Sequence, residues 1–197
     1  MASPGPQPPR CMLFELSAEL RNVIYEQVLI ISDCNDYIQL EPATGLQVPA
    51  LLQVCHQVRN EAAQMYFEEN FFQLWLMGCS PRLLYEWIEM ATRYVGRACV
   101  DGKLNDRSID YNTYDNEDPS NIIQWCKLVR EGKLPAWDCS PEDIKYGSAC
   151  PTVVAGQRLA MQMKFRPWAE FVAAFELLHY AVEGTREQIM TLNLIRY

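Results

Sequence analysis

Apolar residues near the start of the chain recur with helical spacing. Leu16, Leu20, Ile24 and Val28 fall every four residues, and Val23 and Ile31 widen the stripe, which predicts a helix with one apolar face. Ser17 stands where a hydroxyl can accept a first-turn N–H, and Glu19 suits the positive end of the helix dipole. Asp33, Asn35 and Asp36 end the pattern. Residues 37–41 read as a short strand, Pro42–Gly45 as a turn, and Leu46–Val48 as a partner strand that would complete a small hairpin. Pro49 opens a second helix, where its missing N–H costs nothing. Leu51, Val54, Cys55, Val58, Ala62 and Met65 share one side of it, and Asn70 marks its end.

Phe71–Met77, apolar but for Gln73, reads as a buried strand. Ser80-Pro81 starts a third helix with Leu84, Trp87, Ile88, Ala91 and Val95 on its face. Residues 96–118 are polar and turn-rich, with one short strand near Ser108–Tyr111. Pro119-Ser120 precedes a helix through Ile122, Ile123, Cys126 and Val129, stopped by Gly132 and Pro135. After a loop over 135–151, Val153–Val182 reads as helix interrupted at Pro167, beyond which Trp168, Phe171, Phe175, Leu178 and Val182 form a stripe. Gly184-Thr185 sets off a last segment, with Ile189, Leu192 and Leu194, that fits helix or strand. The expected fold is mainly α with a few short strands (α+β). In it a helix-hairpin-helix-strand N-terminal half packs on C-terminal helices. Residues 1–11 form a Pro-rich leader, 12–197 a single domain, and 12–77 and 78–197 its two parts.

Composition narrows the function classes. In 197 residues, 49% are hydrophobic and the formal charge is -8, which supplies a core and disfavours a nucleic-acid-tracking surface. The leader lacks the apolar core of a secretory signal, and no apolar run approaches a membrane span, so a cytoplasmic or nuclear location is expected. The 8 cysteines are scattered with no C-x-x-C, and His56 and His179 complete no zinc spacing, so free buried thiols and no metal are expected. The acids Asp106, Asp110, Asp115, Glu117 and Asp118 fail the calcium-loop spacing and read as a solvated edge. Neither Gly-rich phosphate loop occurs, and no cofactor motif is present. Cys55 and His56 are helix neighbours whose side chains diverge by about 100°, which gives no dyad. The alternative is an enzyme of acid–base chemistry with a small-molecule pocket in the helical C-terminal half, for which Tyr66, His179 and Tyr180 are the candidate converging groups.

The two N-terminal helices carry the most specific pattern. Phe14-Glu-Leu-Ser-Ala-Glu-Leu-Arg-Asn-Val-Ile-Tyr25 is followed by Pro49-Ala-Leu-Leu-Gln-Val-Cys-His-Gln-Val-Arg-Asn-Glu-Ala62, then Tyr66-Phe67, Asn70 and Phe72. Over about residues 12–77 this resembles a large fungal F-box-like family named for two Glu-x-Arg motifs. Ser17 stands in place of that family's usual proline and His56 in place of an arginine, and the second motif reads Gln57-Val58-Arg59. The resemblance implies a non-catalytic interaction module, with a helical surface that docks a Skp1-type ubiquitin-ligase adaptor while residues 78–197 recruit a client. Leu16, Leu20, Ile24, Leu52 and His56 are then the partner-binding positions. The charges themselves predict a lock: Arg21 with Glu61, or Glu19 with Arg59, pairing across the helix contact to fix its register.

Overall fold

A computed structural model of the chain describes residues 11–33, 35–43, 45–105, 109–114, 117–136 and 150–194, with backbone only at 105, 111–114 and 185–194. A 3-10 turn (Met12–Glu15) leads into α1 (Ala18–Leu29) and then β1 (Ile38–Leu40). Next come α2 (Ala50–Gln53), α3 (His56–Glu69), β2 (Phe72–Met77), α4 (Arg82–Val95), α5 (Arg97–Asn105) and β3 (Ile109–Tyr114). Three helices complete the order: α6 (Pro119–Arg130), α7 (Pro151–Gln162) and α8 (Trp168–Leu194). The fold is mainly α with one small sheet.

That sheet corrects the expected hairpin. Its three strands run parallel in the order β1-β2-β3, with Ile38, Phe72 and Ile109 level across it. Residues 46–48 form no strand. Parallel neighbours require a crossover rather than a tight turn, and α2–α3 and α4–α5 supply two of them. Both crossovers cover the same face. Phe72, Leu74 and Leu76 of β2 are buried beneath it, and the Phe72 ring meets Phe67 of α3 and Trp87 of α4 at 6.4 and 5.3 Å.

The second predicted helix is broken. Cys55 is extended, and its Sγ accepts the Val58 N–H to start α3 afresh. Arg59 Nε reaches back to the Leu52 carbonyl at 2.9 Å, satisfying an acceptor that the end of α2 leaves open. Segment 96–118 holds α5, which the sequence reading missed; of its residues only Val100 and Lys103 are buried, so its apolar periodicity is faint. The acidic edge is partly structural. Asp110 accepts from Gln73 Nε2 at 3.0 Å and Asp118 caps α6 through Ser120 N–H, while Asp106 and Asp115 lie outside the described residues.

Pro167 separates α7 from α8 as its chemistry requires, whereas Gly184-Thr185 does not end α8, which runs on to Leu194 as helix. The helices α6, α7 and α8 pack on one another at Gly156: a Cβ there would lie 2.8 Å from the Phe175 ring and 3.0 Å from Cys126 Sγ. Only glycine lets α7 approach this closely. The buried residues of the sheet layer and of these helices form one continuous cluster.

Asn70 splices the N-terminal elements together. It is fully buried, and its Oδ1 accepts from Ile31 N (2.8 Å), Ser32 N (3.1 Å) and Ser32 Oγ (3.1 Å). Its Nδ2 donates to the carbonyls of Leu29 (2.7 Å) and Tyr66 (2.9 Å), the last turns of α1 and α3. An apolar replacement orphans these groups together. Asn70→Ala is expected to lower unfolding free energy by about 3–5 kcal/mol in a denaturant titration, given about 1–3 kcal/mol per buried unpaired group; a loss under about 1 kcal/mol contradicts the splice.

Candidate functional site

The charge lock forms in one of its two predicted pairings. Arg21 Nε and Nη2 each donate to Glu61 at 2.9 Å, a fork on two carboxylate oxygens, and Arg21 Nη1 donates to the Leu16 carbonyl at 2.8 Å. Tyr25 Oη adds a third bond to Glu61 at 2.9 Å and Gln57 Nε2 a fourth at 2.9 Å. With Arg21 and Glu61 side chains 14% and 26% exposed, the cluster sits at the rim of the core, between α1 and α3. Hydrogen bonds from Arg21 first, then Gln57 and Tyr25, bring the Glu61 carboxyl down to about 2. The same carboxylate raises Arg21, while burial, then Glu61, raises the Tyr25 hydroxyl.

Glu19 and Arg59 do not pair with each other. Glu19 is exposed at the start of α1, where the backbone N–H of its own residue and the Ser17 side chain lower its pKa. Arg59 is spent on the α2–α3 break, its guanidinium also lying 6.0 Å from the Tyr94 ring centre. Of the two predicted pairings, only Arg21–Glu61 spans α1 and α3.

This lock decides which side of α1 the protein buries. Arg21, Tyr25 and Leu29 point inward, and Tyr25 and Leu29 are fully buried. The apolar stripe lies about 100° away, and it faces out. Leu20 is 54% exposed, Val23 52%, Ile24 38% and Val28 51%. Ile31 continues the stripe at 60%. Of the predicted partner-binding positions, Leu20, Ile24 and His56 are exposed and Leu16 is half-buried. His56 is held by Asn60, whose Nδ2 lies 3.2 Å from its Nδ1. Leu52 is a correction: it is fully buried in the core, while Val54, two residues on, is 66% exposed. The sequence reading also passed over Tyr25 and Leu29, whose signal was their spacing of four and eight from Arg21.

The small-molecule alternative finds no converging set. Tyr66 is packed against Phe67 and Phe72, and burial pushes its hydroxyl up to about 12, far from an acid–base role near neutrality. The cleft that Tyr66 borders includes neither His179 nor Tyr180. His179 stacks on Phe175 with its Nε2 3.4 Å from Glu183, and Tyr180 is largely exposed. The groove between α7 and α8, of about 600 Å³, is walled by Val154, Leu159, Ala174 and Leu178 with Arg158 and Gln162 as its polar members. Among the described residues no cluster of three or more His, Cys, Asp or Glu could hold a metal, and no helix is long and apolar enough to cross a membrane. No disulfide joins the described cysteines Cys11, Cys55, Cys79, Cys99, Cys126 and Cys150. Comparison with family models, curated proteins and solved structures finds no match to this chain.

The lock has a pH signature. Because Glu61 is lowered from 4.5 to about 2 on folding, its contribution is complete above 4.5 and disappears as pH falls through about 2. Melting temperatures of the wild type and Glu61→Gln should differ by a constant gap from pH 7 to about 5. Below about 4.5 the gap closes; a gap unchanged at pH 2 contradicts the lock.

Proposed function

We propose that the chain is a non-catalytic protein–protein interaction module that presents α1 as its docking helix. The observation that carries this reading is the stripe of Leu20, Val23, Ile24 and Val28, left exposed on a helix whose other side is locked by polar bonds, with exposed Ile31 just beyond its end. Contiguous exposed apolar surface rimmed by polar residues marks interaction sites, and a helical stripe fits an apolar groove on a partner.

Charge narrows the occupant. Glu15, Glu19 and Glu26 flank the stripe, and Arg21, the only cation in residues 11–33, is committed to Glu61. A second copy would bring carboxylates against carboxylates in a chain already at -8, so a different protein, with an apolar groove and a rim poor in acids, is the better occupant. The resemblance of residues 12–77 to the F-box-like family supplies the finer proposal, a Skp1-type adaptor, with the C-terminal helices left to engage a client.

The test is capture of the full chain on an immobilised Skp1-type adaptor. Wild type should be retained, and Leu20→Asp and Ile24→Asp should each lose at least about tenfold in affinity, the value of about 1.4 kcal/mol at a desolvated anchor. Leu20→Asp should melt within a few degrees of wild type, since Leu20 is more than half exposed, and both variants should give a cooperative melt that shows them folded at the assay temperature. Retention of both variants at wild-type level overturns the docking face; failure of the folded wild type to bind removes the adaptor.

A further inference from the structure

Among the described residues, the most exposed large apolar side chain is Phe165, at 95%, in the turn between α7 and α8. Arg166 N–H returns to the Met163 carbonyl at 2.9 Å, which puts Lys164 and Phe165 at the two central positions of that turn. Lys164 N–H bonds the Met161 carbonyl at 3.3 Å, and Met161 is itself 45% exposed. Behind the turn, Arg130 Nη2 donates to the Arg166 carbonyl, and the Arg130 guanidinium lies 5.6 Å from the Trp168 ring centre. Trp168 stacks at 4.6 Å on Phe171, which is fully buried. The turn is thus tied to the core while the Phe165 ring stands in water.

The charge here runs against that of the chain. Helix α6, helix α7 and the turn up to Trp168 carry Lys127, Arg130, Arg158, Lys164 and Arg166 and no acidic residue, in a chain of formal charge -8. The acids that follow these segments are paired, Glu131 with Lys133 at 2.7 Å and Glu170 with Arg166 at 2.8 Å. Cations near a helix C-terminus complement its dipole, which accounts for Lys127 and Arg130 in the last turn of α6. It does not account for a phenylalanine held in water between Lys164 and Arg166.

We propose that the α7–α8 turn is a membrane-surface contact, in which Phe165 enters the headgroup layer of an anionic bilayer and Lys164 and Arg166 lie against the lipid phosphates. This is attachment to a surface, not a span. At 95% exposure the Phe165 ring has no groove wall beside it, so a protein partner would have to supply the whole pocket. A bilayer interface closes around an apolar side chain wherever it enters. The attraction of basic residues to anionic lipid acts within a Debye length, about 8 Å at physiological salt, so the overall charge of -8 does not cancel it. The stripe on α1, flanked by Glu15, Glu19 and Glu26, has the wrong sign for such a surface. One ring and a few cations give weak, reversible attachment. The contact uses no residue of α1 and is independent of the docking face.

The test is co-sedimentation of the full chain with vesicles of phosphatidylcholine alone and of phosphatidylcholine with about 30% phosphatidylserine. Wild type should pellet with the mixed vesicles, several-fold less with phosphatidylcholine alone, and be released as salt rises from about 0.1 to about 0.5 M. Phe165→Ser should lower the partition coefficient about five- to tenfold, and Lys164→Ala about fivefold, the worth of one cation near an anionic surface. Both side chains are exposed, so both variants should melt with the wild type. Leu20→Asp, on the docking face, should sediment as the wild type does. Wild-type sedimentation of Phe165→Ser, equal binding to the two vesicles, or loss of binding in Leu20→Asp overturns the proposal. So does failure of the folded wild type to bind the mixed vesicles; capture on immobilised polyglutamate instead would assign the turn to an acidic protein.

Discussion

The carboxylate of Glu61 determines the rotation of α1, and through it the outer surface of the N-terminal half. Glu61 accepts two bonds from Arg21 and one from Tyr25, residues one turn apart on α1, so α1 cannot turn about its axis without breaking all three. Charged, forked hydrogen bonds are directional where apolar contact is not, and a half-buried fork loses much if one partner is left alone. Apolar burial alone would favour tucking the Leu20–Ile24–Val28 stripe inside. The polar cluster holds it in water instead, with Tyr25 and Leu29 supplying the buried face.

Asn70 extends the same constraint to the far end of α1. One amide holds the carbonyl of Leu29 and the amides of Ile31 and Ser32, so the chain leaves the helix on a fixed course toward β1. Its bond to the Tyr66 carbonyl ties that exit to α3, whose next residues enter β2. From β2 the core builds outward through Phe72 and Trp87, and the turn at its end meets the start of α6. Polar residues set where elements sit, and aromatic packing fills what lies between them.

Much of this was legible in the sequence, for physical reasons that differ by element. Helices α4 and α6 follow strong apolar periodicity with proline at their starts, and β2 follows an apolar run broken only by Gln73. The Arg21–Glu61 pair followed from charge placement within the two motifs. The hairpin failed because strand direction depends on a distant partner: β1 has three residues and pairs with β2 across the whole α2–α3 crossover. The α2–α3 break was hidden because an arginine 7 residues from its acceptor, Arg59 to Leu52, leaves no trace in periodicity. Leu52 was named for docking by the family resemblance alone, which carries no burial signal, and α5 was overlooked because, among its described residues, only Val100 and Lys103 are buried.

The claim that polar locks turn the apolar side of α1 outward is tested most directly by hydroxyl-radical footprinting of the folded chain, read residue by residue. The account predicts ready oxidation of Leu20, Ile24 and Val28 and protection of Tyr25 and Leu29, although tyrosine is intrinsically the more reactive side chain. Protection of Leu20, Ile24 and Val28 together with oxidation of Tyr25 would contradict it.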